Sequence, residues 1–298
     1  MITHPQFSAS LRAAGICSFA SIFALAPVLF AAEEKPTFPD ASQHATITQR
    51  VGLTDVSIDY SRPNKRDREI FGGLIPYGQV WRTGANSPTT IKFSDAVKIG
   101  GQDLPAGEYA FYTIPNQNEW TIVLSKNTKL WGAYGYKPDA DALRVTVKPT
   151  ALANPVETFT IGFDDLKDDS ATISLEWDKT RVPVELTTNT MERVNSEIES
   201  ALQNPESLKP QFYYSAASFS YEHDKDLEQA EKWIDQAIAK QEPARYFMFY
   251  KKAQIEAKLG HKPEAKTAAE KSIELLKAEK EPDATAIRNS QLLIDGLR

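Results

Sequence analysis

The sequence predicts an α+β chain of more than one domain: an antiparallel β-sandwich-like domain over 44–188, then an all-α tail of helical hairpins over 189–298. Three observations carry this. Short β-prone runs with two-residue alternation continue to about Leu186. From about residue 189 the apolar residues recur every three or four positions. Within the tail, two segments align at an offset of about 35 residues, the mark of a stacked repeat.

The first residues, 1–32, read as a signal peptide. Arg12 supplies the positive region, Ala13 to Phe30 carries no charge, and Ala31 and Ala32 offer small residues for cleavage before Glu33, Glu34 and Lys35. Cleavage is expected after Ala31 or Ala32. Pro27 near the end of the apolar stretch favours a cleaved leader over a membrane anchor, so no span is expected in the mature chain. Residues 33–43, with Pro36 and Pro39, read as a linker.

In the β region the expected runs are Ala45–Val51, Val56–Tyr60, Thr89–Phe93, Val97–Ile99, Glu108–Ile114, Trp120–Leu124, Leu143–Val147, Val156–Phe163, Ala171–Trp177 and Val182–Leu186. Gly100-Gly101 after Val97–Ile99 is a two-residue hairpin signal. Pro115-Asn116-Gln117-Asn118 reads as a loop, and Asp168-Asp169-Ser170 and Asp178-Lys179-Thr180 read as turns. Residues 62–88 are rich in Gly, Pro and charge. A loop of that length in a compact domain is expected to be functional or packed by its own side chains.

In the tail, Val194, Ile198, Ala201 and Leu202 share one helical face. Tyr214 aligns with Phe249, Ser218 with Ala253, Ala230 with Ala265, Ile234 with Ala269 and Ala237 with Ser272. Small residues at these places let paired helices approach closely. Gly260 falls between the helices of the second hairpin, and Ile287, Leu292 and Leu293 mark a capping helix. Residues 210–280 resemble tetratricopeptide repeats. The repeat's usual large residue near the end of its first helix is Tyr221 in the first copy and Glu256 in the second.

Residues 58–136 carry a further set of strings. These are Tyr60-Ser61-Arg62-Pro63, Ile70-Phe71-Gly72-Gly73-Leu74-Ile75-Pro76-Tyr77-Gly78 and Val80-Trp81-Arg82-Thr83-Gly84-Ala85-Asn86. Leu104-Pro105-Ala106-Gly107-Glu108-Tyr109, Trp120-Thr121-Ile122-Val123-Leu124 and Trp131-Gly132 follow. They resemble an uncharacterised bacterial family, domain of unknown function 2911, with the match extending over about 44–188. The resemblance implies an exported β-rich domain and implies no reaction.

Composition narrows the partners. The 298 residues carry 34 Lys and Arg against 40 Asp and Glu, a net charge of −6. Binding to nucleic acid through phosphate neutralisation needs a basic surface, so no nucleic-acid partner is expected. The one cysteine, Cys17, lies within the leader, which excludes disulfides, thiolate metal sites and cysteine nucleophiles from the mature chain. The remaining histidines, His44, His223 and His261, fit no zinc spacing, and no metal or cofactor is expected. His223 and His261 are expected at solvated helix ends. His44, near a strand start, is the histidine to watch.

The candidate ligand-binding residues are Arg62, Arg66, Trp81, Arg82, Asn86 and Trp131. Arginine presents a planar fork of donors to carboxylate, sulfate or phosphate. Arg62 and Arg82 pinned to carboxylates such as Asp59 or to loop carbonyls is the competing reading. Trp81, Trp131, Tyr134 and Tyr136 offer rings for stacking on a sugar, against the alternative that the tryptophans anchor a loop onto the sheet. Asp59, Glu108 and Glu119 are the carboxylates for a glycoside-cleaving site, for which their separation decides.

The expectation is therefore an exported cell-envelope protein, periplasmic by default, with secretion or outer-membrane association as alternatives. It would bind or scaffold, taking a glycan or anionic small ligand at the β domain and a protein or peptide along the helical tail. The alternative is an envelope glycan-directed hydrolase.

Overall fold

The computed structural model describes residues 38–297. The expected leader and the first part of the linker lie outside the described residues. Among the described residues there are ten β-strands and six α-helices, in that order along the chain.

The strands are β1 (Gln43–Val51), β2 (Thr54–Arg62), β3 (Thr89–Phe93), β4 (Val97–Ile99), β5 (Gln102–Leu104), β6 (Gly107–Ile114), β7 (Trp120–Ser125), β8 (Asp141–Val147), β9 (Thr150–Asp164) and β10 (Ser170–Thr188). They form two antiparallel sheets, ordered β1-β2-β3-β6-β7-β8 and β5-β4-β10-β9. The inward residues of both sheets share one core. In β2 these are Val56, Ile58 and Tyr60, and in β10 they include Ile173, Leu175 and Trp177. The sandwich expected from alternation is thus present.

Gly100 and Gly101 both have positive φ, 53° and 80°, and close the β4–β5 hairpin between the paired Ile99 and Gln102. That is the backbone a two-residue hairpin loop demands. The expected turn at Asp178-Lys179-Thr180 is instead a bulge inside one long strand. Asp178 has φ of 51°, and the register with β9 shifts on either side of it while pairing continues to Arg181↔Thr150. Local turn chemistry is real there, but β9 runs alongside and keeps the chain in the ladder.

The sandwich meets the first helix at Gly52. With φ of 57°, it sits where a Cβ would lie 2.1 Å from the Asp168 carbonyl oxygen and 2.0 Å from Thr190 Oγ1. Only glycine admits that approach. Thr190 Oγ1 also accepts from the Leu53 N–H at 3.3 Å, and Arg193 pairs with Asp95 at 3.1 Å.

The helices are α1 (Thr190–Ala201), α2 (Pro210–Glu222), α3 (Leu227–Lys240), α4 (Tyr246–Leu259), α5 (Lys262–Ala278) and α6 (Ala284–Gly296). From α2 onward each helix packs on the next. The aligned small residues Ala230, Ala237, Ala253, Ala265, Ala269 and Ser272 are fully buried, as close hairpin packing requires, while Ser218 is half-buried. Gly260 ends α4 in the left-handed region, and Asp283 caps α6 by accepting from Thr285 and Ala286 N–H. No described helix is long and apolar enough to cross a membrane.

Candidate functional site

The outer face of the six-stranded sheet divides in two. Strand pairing brings Thr46, Asp59, Thr90, Ala110, Ser125 and Asp141 into one transverse row, each opposite the next. A second row runs Thr48, Ser57, Lys92 and Glu108. The half over β1 to β3 is therefore polar. Over β6 and β7 the face is apolar, with Ala110, Tyr112 and Val123 buried beneath Ala133 and Tyr136 of the 126–140 loop.

The edge of that loop stands over the polar half and forms a groove of about 570 Å3. Asp59, Thr90, Lys92 and Glu108 line it from the sheet, and Lys129, Leu130 and Trp131 from the loop. Its charges balance, two carboxylates against two ammonium groups. Trp131 is 68 % exposed and Tyr134, one turn on, 79 %. Beside the groove, His44 Nε2 lies 3.0 Å from Asp59 Oδ2, and Thr46 donates to the same oxygen at 3.0 Å.

The loop is held from beneath. Tyr136 donates to Asp141 Oδ2 at 2.6 Å, and Arg144 donates to the same oxygen at 2.7 Å. Burial, helped by the Asp141 hydrogen bond, pushes the Tyr136 hydroxyl up to about 12. Tyr112 donates to the Gly132 carbonyl at 3.4 Å.

The six expected ligand residues do not gather in one place. Trp81 is a core residue, 6 % exposed, stacked on Trp177 at 5.8 Å and donating to the Gly84 carbonyl at 3.0 Å. Phe71, Trp120 and Phe159 complete a ring cluster between the sheets. Arg62 is pinned to β9, donating to the Phe159 carbonyl at 3.1 Å and to Thr160 Oγ1 at 2.7 Å. Asp59 is not its partner. Arg66 is exposed in the left-handed region, its N–H on Glu157 Oε1 at 2.7 Å. Asn86 donates to the Ser42 carbonyl and to Ser61 Oγ, both at 3.2 Å. Trp131 lines the groove.

Arg82 differs from the other arginines. Its Nε is buried and has no acceptor among the described residues. Its guanidinium lies against Gly132, where a Cβ would sit 3.0 Å from Nη1. A buried cationic donor left unmatched is costly and rare.

Residues 42–186 match the family described as Protein of unknown function (DUF2911). The DUF2911 region thus begins one residue before β1 and ends within β10, so it holds both sheets, the groove and the 126–140 loop. The helices lie outside it. No curated protein and no solved structure matches the chain.

Sequence reasoning missed Thr46, Thr90, Lys92 and Lys129. The alternation of β1 to β3 marks these strand residues as outward, but only the pairing register makes them neighbours. The sequence does single out His44, for its place near a strand start, and Asp59 and Glu108 as carboxylates. The other two histidines stand at helix ends as expected, His261 exposed and His223 half-buried. His223 packs on the Phe219 ring and lies 3.5 Å from Asp168, and His261 Nδ1 lies 2.8 Å from Glu256 Oε2.

Proposed function

We propose that this is an exported envelope binding or scaffolding protein, which captures a glycan in the groove beside Trp131 and contacts a partner protein through its helical stack. The observation that carries the reading is a tryptophan ring held largely in solvent over a polar, charge-balanced groove. Solitary exposed tryptophans are uncommon, because so much apolar area is normally buried. A flat ring beside hydroxyl, carboxylate and ammonium groups suits a sugar, whose faces are apolar and whose edges are polar. Tyr134 adds a second exposed ring. Lys92 and Lys129 in the groove supply cations for an acidic substituent. Stacked helical hairpins commonly present a surface to peptides or proteins.

Asp59 and Glu108 in one groove also raise glycoside hydrolysis. The strand arrangement favours binding over cleavage. β3 lies between their strands and they belong to different rows, so their backbone positions stand roughly 12 Å apart at the usual strand spacing and rise, and Lys92 projects between them. Acid–nucleophile pairs need carboxyls about 5 Å apart, and inverting pairs roughly 6.5–9.5 Å.

Calorimetric titration of the purified chain with a panel of neutral and acidic envelope oligosaccharides tests the reading. At least one should bind, and Trp131→Ala should weaken it by ~10-fold or more, the worth of a desolvated aromatic contact. Lys129→Ala, at an exposed groove position, should weaken an acidic ligand while leaving the melting temperature nearly unchanged. A panel without binding removes the glycan, and turnover of any member favours the hydrolase.

A further inference from the structure

We propose that Glu231, Glu256 and His261 form a binding site for one divalent transition-metal ion of the zinc class. The site is independent of the groove. Glu231 comes from α3, Glu256 from α4, and His261 from the turn that leads into α5. Each offers one ligand atom, and those atoms lie within 4.8 Å of one another.

The chemistry of the cluster asks for a cation. The Glu256 side chain is 2 % exposed. Burying a carboxylate is expensive unless it is matched by charge and hydrogen bonds. Its Oε2 meets His261 Nδ1 at 2.8 Å, while its Oε1 finds the Lys252 ammonium only at 3.9 Å. That ammonium is already committed to Asp235 at 2.5 Å. A second carboxylate, Glu231, faces the same point. With a neutral imidazole, Glu256 has only that distant and divided ammonium as counter-charge, and Glu231 adds a second carboxylate beside it. A dication between them would offset that excess.

A second, separate observation lies in the repeat pattern. The position that holds the large Tyr221 in the first hairpin holds Glu256 in the second. A buried glutamate there costs stability that an aromatic ring would have supplied, and ligation gives it a purpose.

The donor set selects the ion. One imidazole nitrogen and two carboxylate oxygens suit zinc and its neighbours, at about 2.0–2.2 Å from the metal. Calcium and magnesium prefer more oxygens and no nitrogen. His261 is about half exposed, at 48 % for its side chain, which leaves the outer coordination position to water. Binding displaces the proton shared between His261 Nδ1 and Glu256, as metal binding generally does. The bound ion would join α3 to the α4–α5 hairpin and so staple consecutive hairpins together.

The test is calorimetry on the purified chain, stripped with a chelator and dialysed, with zinc chloride as titrant. Cobalt(II) serves as the spectroscopic probe. Saturable binding of one ion per chain is expected, with visible cobalt bands of a low-coordinate nitrogen–oxygen site. Glu231→Gln, an isosteric change at a half-buried helix position, and His261→Ala should each weaken binding by ~10-fold or more. Zinc should raise the melting temperature of the wild type and not of His261→Ala. His44→Ala, which removes the other histidine–carboxylate pair, should bind as the wild type does. The proposal falls if no single-ion binding is seen. It also falls if the Glu231→Gln, His261→Ala double variant binds unchanged, or if His44→Ala abolishes binding.

Discussion

The 62–88 loop and the 126–140 loop each bring one tryptophan to the same sheet, and the two rings end in opposite places. The first loop crosses the end of β6 in register with Thr113, exchanging backbone hydrogen bonds at 2.8 and 2.9 Å. Thr113 faces inward, and Trp81 opposite it therefore enters the core. The second loop lies over Ala110 and Tyr112, which face outward, and half-buries Tyr136 while leaving Trp131 in solvent. One residue of parity on β6 separates a core ring from a surface ring. Residue type says little about role here. The face of the strand beneath says most of it.

The largest effect should follow from the inner ring. Trp81→Ala removes a side chain packed against Phe71, Phe159 and Trp177 and leaves a cavity between the sheets. A loss of about 3–5 kcal/mol is expected, the range for large aromatic truncations in cores, measured by urea unfolding with tryptophan emission. A loss under about 1 kcal/mol would mean that the loop can collapse into the space, and the parity contrast would weaken.

Arg62 sharpens the same contrast from the side of charge. Its guanidinium ties β2 of one sheet to β9 of the other through Phe159 and Thr160. Arg62→Ala should cost about 1.5–3 kcal/mol, as for a partly buried hydrogen bond to a charged group. If unfolding is unmoved but glycan capture drops, Arg62 belongs with the groove after all.

Much of the sandwich was legible because alternation is local. Thr89–Phe93 and Val97–Ile99 are the observed strands residue for residue, and of the aligned small residues of the tail all but the half-buried Ser218 are fully buried. The runs Ala171–Trp177 and Val182–Leu186 merge into β10 because β9 pairs across the bulge, and no window of the sequence contains that partner. The site was less legible for the same reason. Thr46, Asp59 and Thr90 are distant in the chain and adjacent only by register. The Glu231, Glu256 and His261 cluster draws on three elements, so no ligand spacing announces it. The four rings weighed together as a stacking platform separate into a core ring, a ring bonded to Asp141 and two exposed rings. Burial decides among them, and burial is a property of the fold.

The smallest expected stability effect is the most discriminating. Trp131 makes its place on a loop whose attachment runs through Tyr136, Asp141 and Arg144 instead. Trp131→Ala should therefore shift unfolding by no more than about 0.5 kcal/mol, as for an exposed site without buried partners. Nearly all native tryptophan emission that changes on ligand addition should vanish with it. A ring that costs the fold nothing yet occupies a groove edge is accounted for by what it meets from solvent. If Trp131→Ala instead destabilised the chain as Trp81→Ala does, the ring would be a packing element, and the two loops would differ in position alone.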